Sequence, residues 1–312
     1  MSLVISEELR NFLLTLLPER LDLLLEHYAK PLPETFRVNT LKTSVERCLQ
    51  LLREDGVEPR PIPWTRHGFY AEPQGIVSTS IWHLLGLVYI QGPVSMLVSE
   101  TLEVEPGHRV LDLCAAPGSK STHIAQLLGG KGLLVSNDVS RTRVKALSSN
   151  LQRCGVVNVV VTLADGRWFG NRVKGFFDRV LVDAPCSSLG IGMKDWSVLK
   201  HYSQRISQRI SRLQKSLIFS GFKALRPGGI MVYATCTLHP LENEAVVAEL
   251  LEKFDDASLV DIATLGLEHD RGLEEWDGLF FGSEMRKTIR IYPFQSGAEG
   301  FFMAKIVKKE SG

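Results

Sequence analysis

Between residues 109 and 254, short apolar runs alternate with longer stretches in which apolar residues recur every three or four positions. Runs of the first kind are typical of buried strands, and stretches of the second kind are typical of helices. The predicted strands are 109–114, 132–137, 157–162, 177–183 and 229–235, and the predicted helices are 119–128, 140–154, 203–225 and 242–254. This alternation predicts the α/β class with a doubly wound parallel sheet. Two late apolar runs are expected to pair antiparallel at the sheet edge, namely 288–292 and 301–307.

The first hundred residues have a different pattern. Leucines at helical spacing in residues 6–29 predict one or two amphipathic helices. A strand pattern at 35–41 and a helix pattern at 45–54 predict a small N-terminal α+β module. We therefore divide the chain into three parts: a helical segment (1–30), the small module with its linker (31–102) and the main α/β domain (103–312).

The composition indicates an ordinary globular protein in a reducing compartment. The 312 residues are 44% hydrophobic and 23% charged, and no apolar run is long enough to span a bilayer. The five cysteines are odd in number and form no Cys-x-x-Cys pair, so we expect no zinc or other metal site. The opening residues lack the basic region and cleavage site of a signal peptide. The sequence therefore predicts a cytoplasmic protein without a membrane partner, and nothing in it demands more than a monomer.

Charge is segregated along the chain, although the net charge is only +1. Residues 167–215 contain 10 Lys and Arg against 3 Asp and Glu, and residues 241–284 contain 2 against 13. Within the basic stretch, three arginines recur at i, i+4 and i+7, namely Arg205, Arg209 and Arg212. We expect this row to contact a polyanion such as an RNA backbone, while the neighbouring apolar stripe is buried. That stripe consists of Ile206, Ile210, Leu213 and Leu217, and the alternative for the arginines is a merely solvated helix face.

A loop of small residues follows the strand at 109–114. It contains neither a phosphate-binding Gly-x-x-x-x-Gly-Lys motif nor Gly-x-Gly-x-x-Gly. Small side chains allow a ligand to approach the backbone, and the next two strands end in Asp138 and Asp165. One acid at each position suits a ribose diol and an adenine amino group. An adenosine cofactor without a pyrophosphate grip indicates S-adenosylmethionine. The alternative for either aspartate is helix capping or turn formation.

Two cysteines follow strands of the predicted sheet, Cys186 in Asp183-Ala-Pro-Cys-Ser187 and Cys236 in Tyr233-Ala-Thr-Cys-Thr237. Open α/β sheets bind their ligands at the carboxyl ends of the strands. A thiolate there can add to carbon 6 of a cytosine, which makes carbon 5 nucleophilic enough to accept a methyl group. Asp183 could hold N3 of that base. The alternative for a single cysteine is a small buried hydrophobe.

The motifs Leu111-Asp-Leu-Cys-Ala-Ala-Pro-Gly-Ser-Lys-Ser121, Asp183-Ala-Pro-Cys-Ser187 and Tyr233–Glu244 resemble those of the Sun/Fmu (Nop2/Sun-type) RNA cytosine-5 methyltransferases. The segments Arg290–Gln295 and Glu299–Phe302 are similar to the last motif of that family. The resemblance implies a Rossmann-like methyltransferase sheet, S-adenosylmethionine as donor, and tRNA or rRNA as substrate. Because no further RNA-binding domain is visible in the sequence, we expect RNA specificity to come from the small module and the arginine-bearing helix.

The resemblance also implies roles for individual residues. Cys236 matches the nucleophile, Cys186 the second thiol that helps to release the product, and Lys120 with Asp183 the group that holds the target cytosine. The implied cofactor-binding residues are Cys114, Ala115, Ala116, Pro117, Gly118, Ser119, Lys120, Asp138, Arg143, Asp165 and Asp183. The last motif departs from the family at Phe294 and Gln295, which leaves its contact with RNA open.

Two other functions stay open from the residues. DNA cytosine-5 methyltransferases use the Pro-Cys thiol as nucleophile, which would make Cys186 rather than Cys236 the attacking group. A non-catalytic RNA-binding assembly factor is the second alternative. The motif around Cys236 and the small N-terminal module favour RNA over DNA. The presence of both cysteines and of Asp138, Asp165 and Asp183 argues against the assembly factor.

Overall fold

The computed structural model of this chain describes residues 4–310. Two helices come first, α1 (Glu7–Leu16) and α2 (Leu21–Tyr28). The Ser6 side chain caps α1 by accepting from the Leu9 backbone N–H at 3.1 Å. The buried leucines of both helices belong to the same apolar cluster as Tyr202 and Trp276 of the α/β domain. The N-terminal helices therefore pack on that domain and not on the small module that follows them.

The small module is an antiparallel sheet with helices on it. Its sheet order is β2-β3-β1-β4, and its apolar core is separate from that of the α/β domain. In chain order its elements are β1 (Thr35–Val38), α3 (Val45–Glu54), β2 (Glu58–Pro61), β3 (Gly68–Glu72), α4 (Ile81–Leu84) and β4 (Val88–Ile90). The predicted helix at 45–54 is confirmed. The predicted strand at 35–41 ends at Val38, because the Asn39 carboxamide accepts from the Leu41 N–H and turns the chain.

The α/β domain is entered through α5 (Pro93–Thr101) and has the predicted alternation. Its elements are β5 (Arg109–Asp112), α6 (Ser119–Leu128), β6 (Leu133–Asp138), α7 (Arg141–Arg153), β7 (Val159–Leu163), α8 (Phe169–Arg172), β8 (Phe177–Asp183), α9 (Trp196–Lys200), α10 (Gln204–Ala224), β9 (Leu225–Thr235) and α11 (Glu244–Lys253). The remaining elements are β10 (Ala257–Val260), β11 (Asp270–Arg271), β12 (Glu275–Trp276), β13 (Leu279–Phe280), β14 (Ile289–Ile291), α12 (Pro293–Ser296) and β15 (Phe301–Lys308).

The main sheet has the order β11-β14-β15-β9-β8-β5-β6-β7. Strands β5 to β9 pair in parallel, which confirms the predicted doubly wound α/β class. Strand β15 pairs antiparallel with both β14 and β9, so the predicted late pair is present. The chain runs outward from β5 to β6 and β7, then returns to place β8 on the other side. Its topological switch point therefore lies between β5 and β8, where such sheets bind ligands.

A fully buried arginine fixes the small module to the α/β domain. Arg37 of β1 donates from Nε to Gln91 Oε1 at 3.0 Å and from Nη2 to Thr122 Oγ1 at 3.0 Å, and it also contacts Gln126. Thr122 and Gln126 lie on α6, the helix that begins at the small-residue loop. Burial lowers the pKa of Arg37 to about 10, so the guanidinium remains charged at neutral pH. The module is thus held against the helix that starts at the candidate cofactor loop.

Candidate active site

A cavity of about 810 Å³ lies at the switch point of the sheet. This volume is in the range of small-molecule sites in proteins. The ends of five parallel strands contribute lining residues to it, namely Cys114, Asp138, Asp165, Asp183, Cys186 and Cys236. The cavity also reaches the linker between the module and the α/β domain. The structure therefore brings the sequence-predicted loop, acids and thiols to one place.

The small-residue loop wraps one end of the cavity. Gly118 has φ +111°, in the left-handed region that favours glycine, and it precedes the first turn of α6. A Cβ there would lie 3.1 Å from Leu147 Cδ1. Of the loop residues predicted to bind a cofactor, Cys114, Ala116, Pro117, Ser119 and Lys120 line the cavity. Ala115 and Gly118 belong to the same loop but are not among the residues that line the cavity.

Asp138 and Asp165 both line the cavity and both also support local turns. Asp138 accepts from the Ser140 N–H at 2.9 Å and from the Ala116 N–H at 3.3 Å. Asp165 accepts from the Arg167 N–H at 3.0 Å, and its hydrogen bonds with the Arg167 guanidinium lower its pKa. The two interpretations of these aspartates, ligand and cap, are thus compatible in one structure.

Arg143 reaches the same end of the cavity from α7. Its Nη1 lies 3.5 Å from Asp138 Oδ2, and its Nη2 donates to the Ala116 carbonyl. The guanidinium therefore ties the small-residue loop to the acid that ends β6. This arrangement keeps the loop and Asp138 in a fixed relation along the cavity wall.

Two polar residues at strand ends were not singled out from the sequence. Asn137 donates to the Leu113 and Ala164 carbonyls at 3.0 Å each, and its Oδ1 accepts from the Ala164 N–H at 3.1 Å. It therefore joins the ends of three adjacent strands under the cavity. Asp112 accepts from Ser121 Oγ at 2.6 Å, and burial raises its pKa to about 7. Their positions beside the predicted site residues were the available signal.

Lys120 and Asp183 form an ion pair beside the thiols, with Nζ 2.7 Å from Oδ2. Burial opposes the charged form of Lys120, but the Asp183 carboxylate outweighs it, so the pKa of Lys120 is raised. The ammonium also lies 5.3 Å from the centre of the Phe301 ring. This pair is a fixed cation and anion at the carboxyl end of β8.

The two cysteines lie side by side, with 3.3 Å between Cys186 Sγ and Cys236 Sγ. A hydrogen bond from the Cys186 thiol lowers the pKa of Cys236 although burial opposes this, and Ser188 and Lys120 act in the same direction. The same contact, with burial, raises the pKa of Cys186 well above its ordinary value. Cys236 is therefore the thiol that ionises first, and Cys186 keeps its proton.

A buried clamp sets the position of the Cys186 loop. Gln214 Nε2 donates to the Pro185 carbonyl at 2.9 Å, and Glu242 Oε2 accepts from the Ser187 N–H at 2.9 Å. These bonds hold the backbone on both sides of Cys186. The Ser187 and Thr237 hydroxyl oxygens are 2.7 Å apart, which joins this loop to the one after Cys236. The separation of the two sulfurs thus depends on side chains from α10 and from the segment after β9.

The predicted burial of the apolar stripe on α10 is wrong in part. Ile206 is 47% exposed and Leu213 is 38% exposed, and Leu213 with Leu217 lines the cavity. The buried residues in the first half of α10 are polar, namely Ser207, Ser211 and Gln214, whereas those of its second half are mostly apolar. Ser211 donates to the Leu241 carbonyl, and Gln214 reaches the Cys186 loop. The arginine row is exposed as expected, at Arg205, Arg209 and Arg212.

The divergent residues of the last motif, Phe294 and Gln295, are partly buried and contact other parts of the protein. The Phe294 ring stacks on Tyr292, and the Arg20 guanidinium lies 5.4 Å from the centre of the Phe294 ring. Gln295 donates to Asp270 at 2.7 Å. In this structure these two residues therefore join α12 to α2 and β11. Within residues 4–310, no group of three metal-binding side chains comes together, and no helix is long and apolar enough to cross a membrane.

Two family models match this chain. Residues 99–307 match the family model of the 16S rRNA methyltransferase RsmB/F, and residues 6–93 match that of the N-terminal domain of 16S rRNA methyltransferase RsmF. The chain belongs to the RsmB/F methyltransferase family. The resemblance expected from the sequence is confirmed, and so is the enzyme class, a methyltransferase. The first match covers nearly all of the main α/β domain, and the second covers most of the helical segment and the small module together.

Individual relatives agree with this assignment. The chain is 42% identical over 281 residues to a tRNA (cytosine(49)-C(5))-methyltransferase of Pyrococcus abyssi, covering 89% of both chains. It is 41% identical over 293 residues to the ribosomal RNA small subunit methyltransferase F of Pectobacterium atrosepticum, covering 90% of this chain and 58% of that relative. A crystal structure of a methyltransferase homologue from Pyrococcus horikoshii superposes with TM-score 0.87 at 34% identity, covering 99% of this chain and 96% of the other.

Proposed function

We propose that this chain transfers a methyl group from S-adenosylmethionine to carbon 5 of a cytosine in tRNA or rRNA. The observation that carries the proposal is the thiol pair, 3.3 Å apart at the ends of two adjacent parallel strands and inside the cavity. The relatives named as tRNA and rRNA methyltransferases support the RNA class of substrate. Because the chain spans 58% of the length of the rRNA relatives, the choice between the two RNAs belongs to the proposal.

The residues at one end of the cavity suit the proposed cofactor. Asp112 Oδ1 is buried without a hydrogen-bond partner in the described part of the chain, directly before Leu113 and Cys114 of the cavity lining. Asp138 and Asp165 supply carboxylates for the ribose and the adenine amino group, and the small-residue loop allows close approach. When bound, S-adenosylmethionine supplies an electrophilic methyl group on sulfur.

The thiols have complementary roles in this proposal. Cys236 is assigned as the nucleophile because it follows the strand-end motif Tyr233-Ala-Thr-Cys-Thr237, lines the cavity beside Cys186 and has a lowered pKa; its sulfur bonds to carbon 6 of the base. Carbon 5 then bonds to the methyl carbon while the methyl–sulfur bond of the donor breaks and its electron pair stays on that sulfur. The carbon 5 proton passes to a base, and the electrons of the broken C–H bond expel the Cys236 sulfur from carbon 6. Cys186 acts in this elimination, and Lys120 with Asp183 holds the polar edge of the cytosine.

The exposed arginines of α10 are proposed to bind the RNA backbone. The helix carries this row on the same exposed side as Ile206 and Leu213, and Leu213 extends to the cavity lining. Phosphate contacts of this kind position a substrate without reading its sequence. The target base must leave any stack to reach Cys236, and an exposed path beside the cavity serves that step.

The proposal is tested with the purified chain, labelled S-adenosylmethionine, and unmodified tRNA and 16S rRNA transcripts. Bisulfite sequencing of the products identifies a methylated cytosine. Cys236→Ala should abolish methylation, whereas Cys186→Ala should accumulate a denaturation-resistant protein–RNA adduct. If Cys186→Ala alone abolishes adduct formation, the two roles are reversed. Methylation of a DNA duplex instead of RNA would support the DNA enzyme, and failure to bind the cofactor would support an assembly factor.

Location and assembly complete the proposal. We place the protein in the cytoplasm as a monomer, since all five cysteines are free and the site is formed within a single chain. Size-exclusion chromatography with light scattering tests the monomer: a mass near 34.8 kDa supports it, and a mass near twice that value contradicts it.

A further inference from the structure

Two buried polar groups in the cavity wall are not used by the proposed chemistry. Gln91 and Glu299 both line the cavity, and they are 3% and 2% exposed. Neither Gln91 Nε2 nor Glu299 Oε2 has a hydrogen-bond partner within residues 4–310. A buried donor or acceptor left without a partner is destabilising. Two residues of the cavity wall therefore hold one donor and one acceptor without a partner in the described part of the chain, as expected of groups whose partners come from a ligand.

The orientation of the Gln91 amide is set by its other contacts. Its Oε1 accepts from Arg37 Nε at 3.0 Å, which leaves Nε2 as the free end. Thr35 binds both backbone groups of Gln91. Its Oγ1 donates to the Gln91 carbonyl at 2.8 Å, and its carbonyl accepts from the Gln91 N–H at 3.2 Å. The amide thus lies in a rigid frame at the junction of the module and the α/β domain.

Glu299 is fitted closely beside this frame. A Cβ on Gly92 would lie 1.3 Å from Glu299 Oε1, so the neighbouring glycine is what admits the carboxylate. Lys194 Nζ lies 3.6 Å from Oε1, with its side chain half-exposed over the site. The next residue, Gly300, donates to the Gly190 carbonyl at 2.7 Å, and Gly190 donates to the Cys236 carbonyl at 2.8 Å. Two backbone bonds therefore connect the Glu299 segment to the nucleophile strand.

One donor and one acceptor in the same wall match the groups on one type of nucleobase edge. Cytosine and adenine each present an amino group next to an unprotonated ring nitrogen, whereas uracil and guanine present a carbonyl next to an N–H. Unstacked RNA bases are read by hydrogen bonds on this edge. The Glu299 carboxylate matches the amino group, and the Gln91 amide matches the ring nitrogen. The same carboxylate repels the carbonyl of uracil.

We propose that Gln91 and Glu299 form a subsite that reads the Watson–Crick edge of an amino-bearing nucleobase of the substrate RNA. This inference rests on the proposed function, because it concerns the RNA that the enzyme methylates. Lys194 covers the carboxylate in the free protein and turns aside when the base enters. The base is a cytosine or adenine next to the target, because Lys120 and Asp183 already hold the polar edge of the target cytosine in the proposed function.

The test compares wild type with Glu299→Gln and Gln91→Leu on short RNAs copied from the methylated site. In one RNA the target cytidine is replaced by the 2-pyrimidinone ribonucleoside, which lacks the 4-amino group. In others the neighbouring bases are replaced by analogues that lack only their amino groups. Loss of this hydrogen bond should lower wild-type kcat/KM about tenfold or more, while Glu299→Gln should lose this discrimination.

RNAs altered at the target position and RNAs altered at a neighbouring position have different expected outcomes. Loss of discrimination at a neighbouring position assigns the subsite to that neighbour, whereas loss at the target position alone contradicts the proposal. If both variants discriminate like wild type at every position, the subsite is refuted. Cofactor affinity and melting temperature of Glu299→Gln should match those of a surface control, Glu284→Gln. Gln91→Leu also removes the acceptor of the buried Arg37 Nε, so its melting temperature should fall, and only its discrimination between RNAs tests the subsite. Absence of methylation by wild type on any RNA refutes the proposed function, whereas unchanged discrimination with active wild type refutes the subsite alone.

Discussion

Glu242 offers the sharpest test of how the thiols are positioned. Its side chain is fully buried, and Oε2 accepts from the Ser187 N–H at 2.9 Å and from Gln214 Nε2 at 3.3 Å. Glu242→Ala removes this acceptor. The Ser187 N–H is then unpaired, while Gln214 keeps its bond to the Pro185 carbonyl. We expect the free energy of unfolding to fall by about 2–4 kcal/mol, from one orphaned donor and a small cavity.

Glu242→Gln is the matched variant because it keeps an acceptor oxygen at the same place. Burial raises the pKa of Glu242, so the folded protein binds this proton more readily than the unfolded chain does. Wild-type stability should therefore decrease as the pH rises from the unfolded value of the carboxyl towards its raised folded value, and Glu242→Gln should lack this component. At neutral pH the amide variant should lie within about 1 kcal/mol of wild type.

Urea unfolding followed by circular dichroism measures stability, and a denaturing gel measures the protein–RNA adduct. Because Glu242 acts through the Cys186 loop, Glu242→Ala should accumulate adduct while cofactor affinity stays unchanged, and Glu242→Gln should restore turnover. Ser211→Ala is the control, since it loses a buried bond to the Leu241 carbonyl without touching the Cys186 loop. Normal adduct resolution in Glu242→Ala would refute the positioning role, and a loss below about 1 kcal/mol would refute the energetic argument.

Other substitutions test the framework around the site. Arg290→Met should destabilise the protein by about 3–5 kcal/mol in urea unfolding, because it leaves the fully buried Glu244 without its bidentate partner, and adding Glu244→Met should recover most of this loss. Cys186→Ala should shift the alkylation of Cys236 by iodoacetamide to higher pH, since the hydrogen bond that lowers the Cys236 pKa is gone; an unchanged midpoint would contradict this. Asn137→Ala should cost about 2–4 kcal/mol and weaken cofactor binding in calorimetry, because its side chain joins three strand ends; full affinity would contradict its proposed part in shaping the cavity.

Much of the fold could be predicted from local patterns in the sequence. The alternation of apolar runs and helical periodicity predicted the parallel strands and their helices, because each signal depends on residues close together in the chain. The helix at 45–54 and the strand at 177–183 have the predicted bounds. Once the parallel sheet is predicted, its strand ends meet at one edge, so Cys186 and Cys236 were expected to be neighbours.

Contacts between distant residues decided what the sequence could not. The spacing of the arginines on α10 predicted their exposed row. It did not predict that Ser207, Ser211 and Gln214 of the same helix are buried, where Gln214 binds the Pro185 carbonyl. Hydrophobic periodicity cannot reveal such a bond, because it does not depend on which backbone groups in distant segments need a hydrogen-bond partner. Packing of α1 and α2 on the α/β domain was likewise outside its reach.

The sequence by itself thus determined the sheet, the small-residue loop and the presence of two thiols at strand ends, since periodicity and motif spacing are local properties. The tertiary structure alone decided which thiol ionises first, which buried groups hold Cys186, and which donor and acceptor of the cavity wall lack a partner within residues 4–310. These depend on distances of a few ångströms between segments far apart in the chain, such as Gln91 and Glu299. Hydrogen-bond strength and charge interactions vary steeply over such distances, so only the folded arrangement sets them.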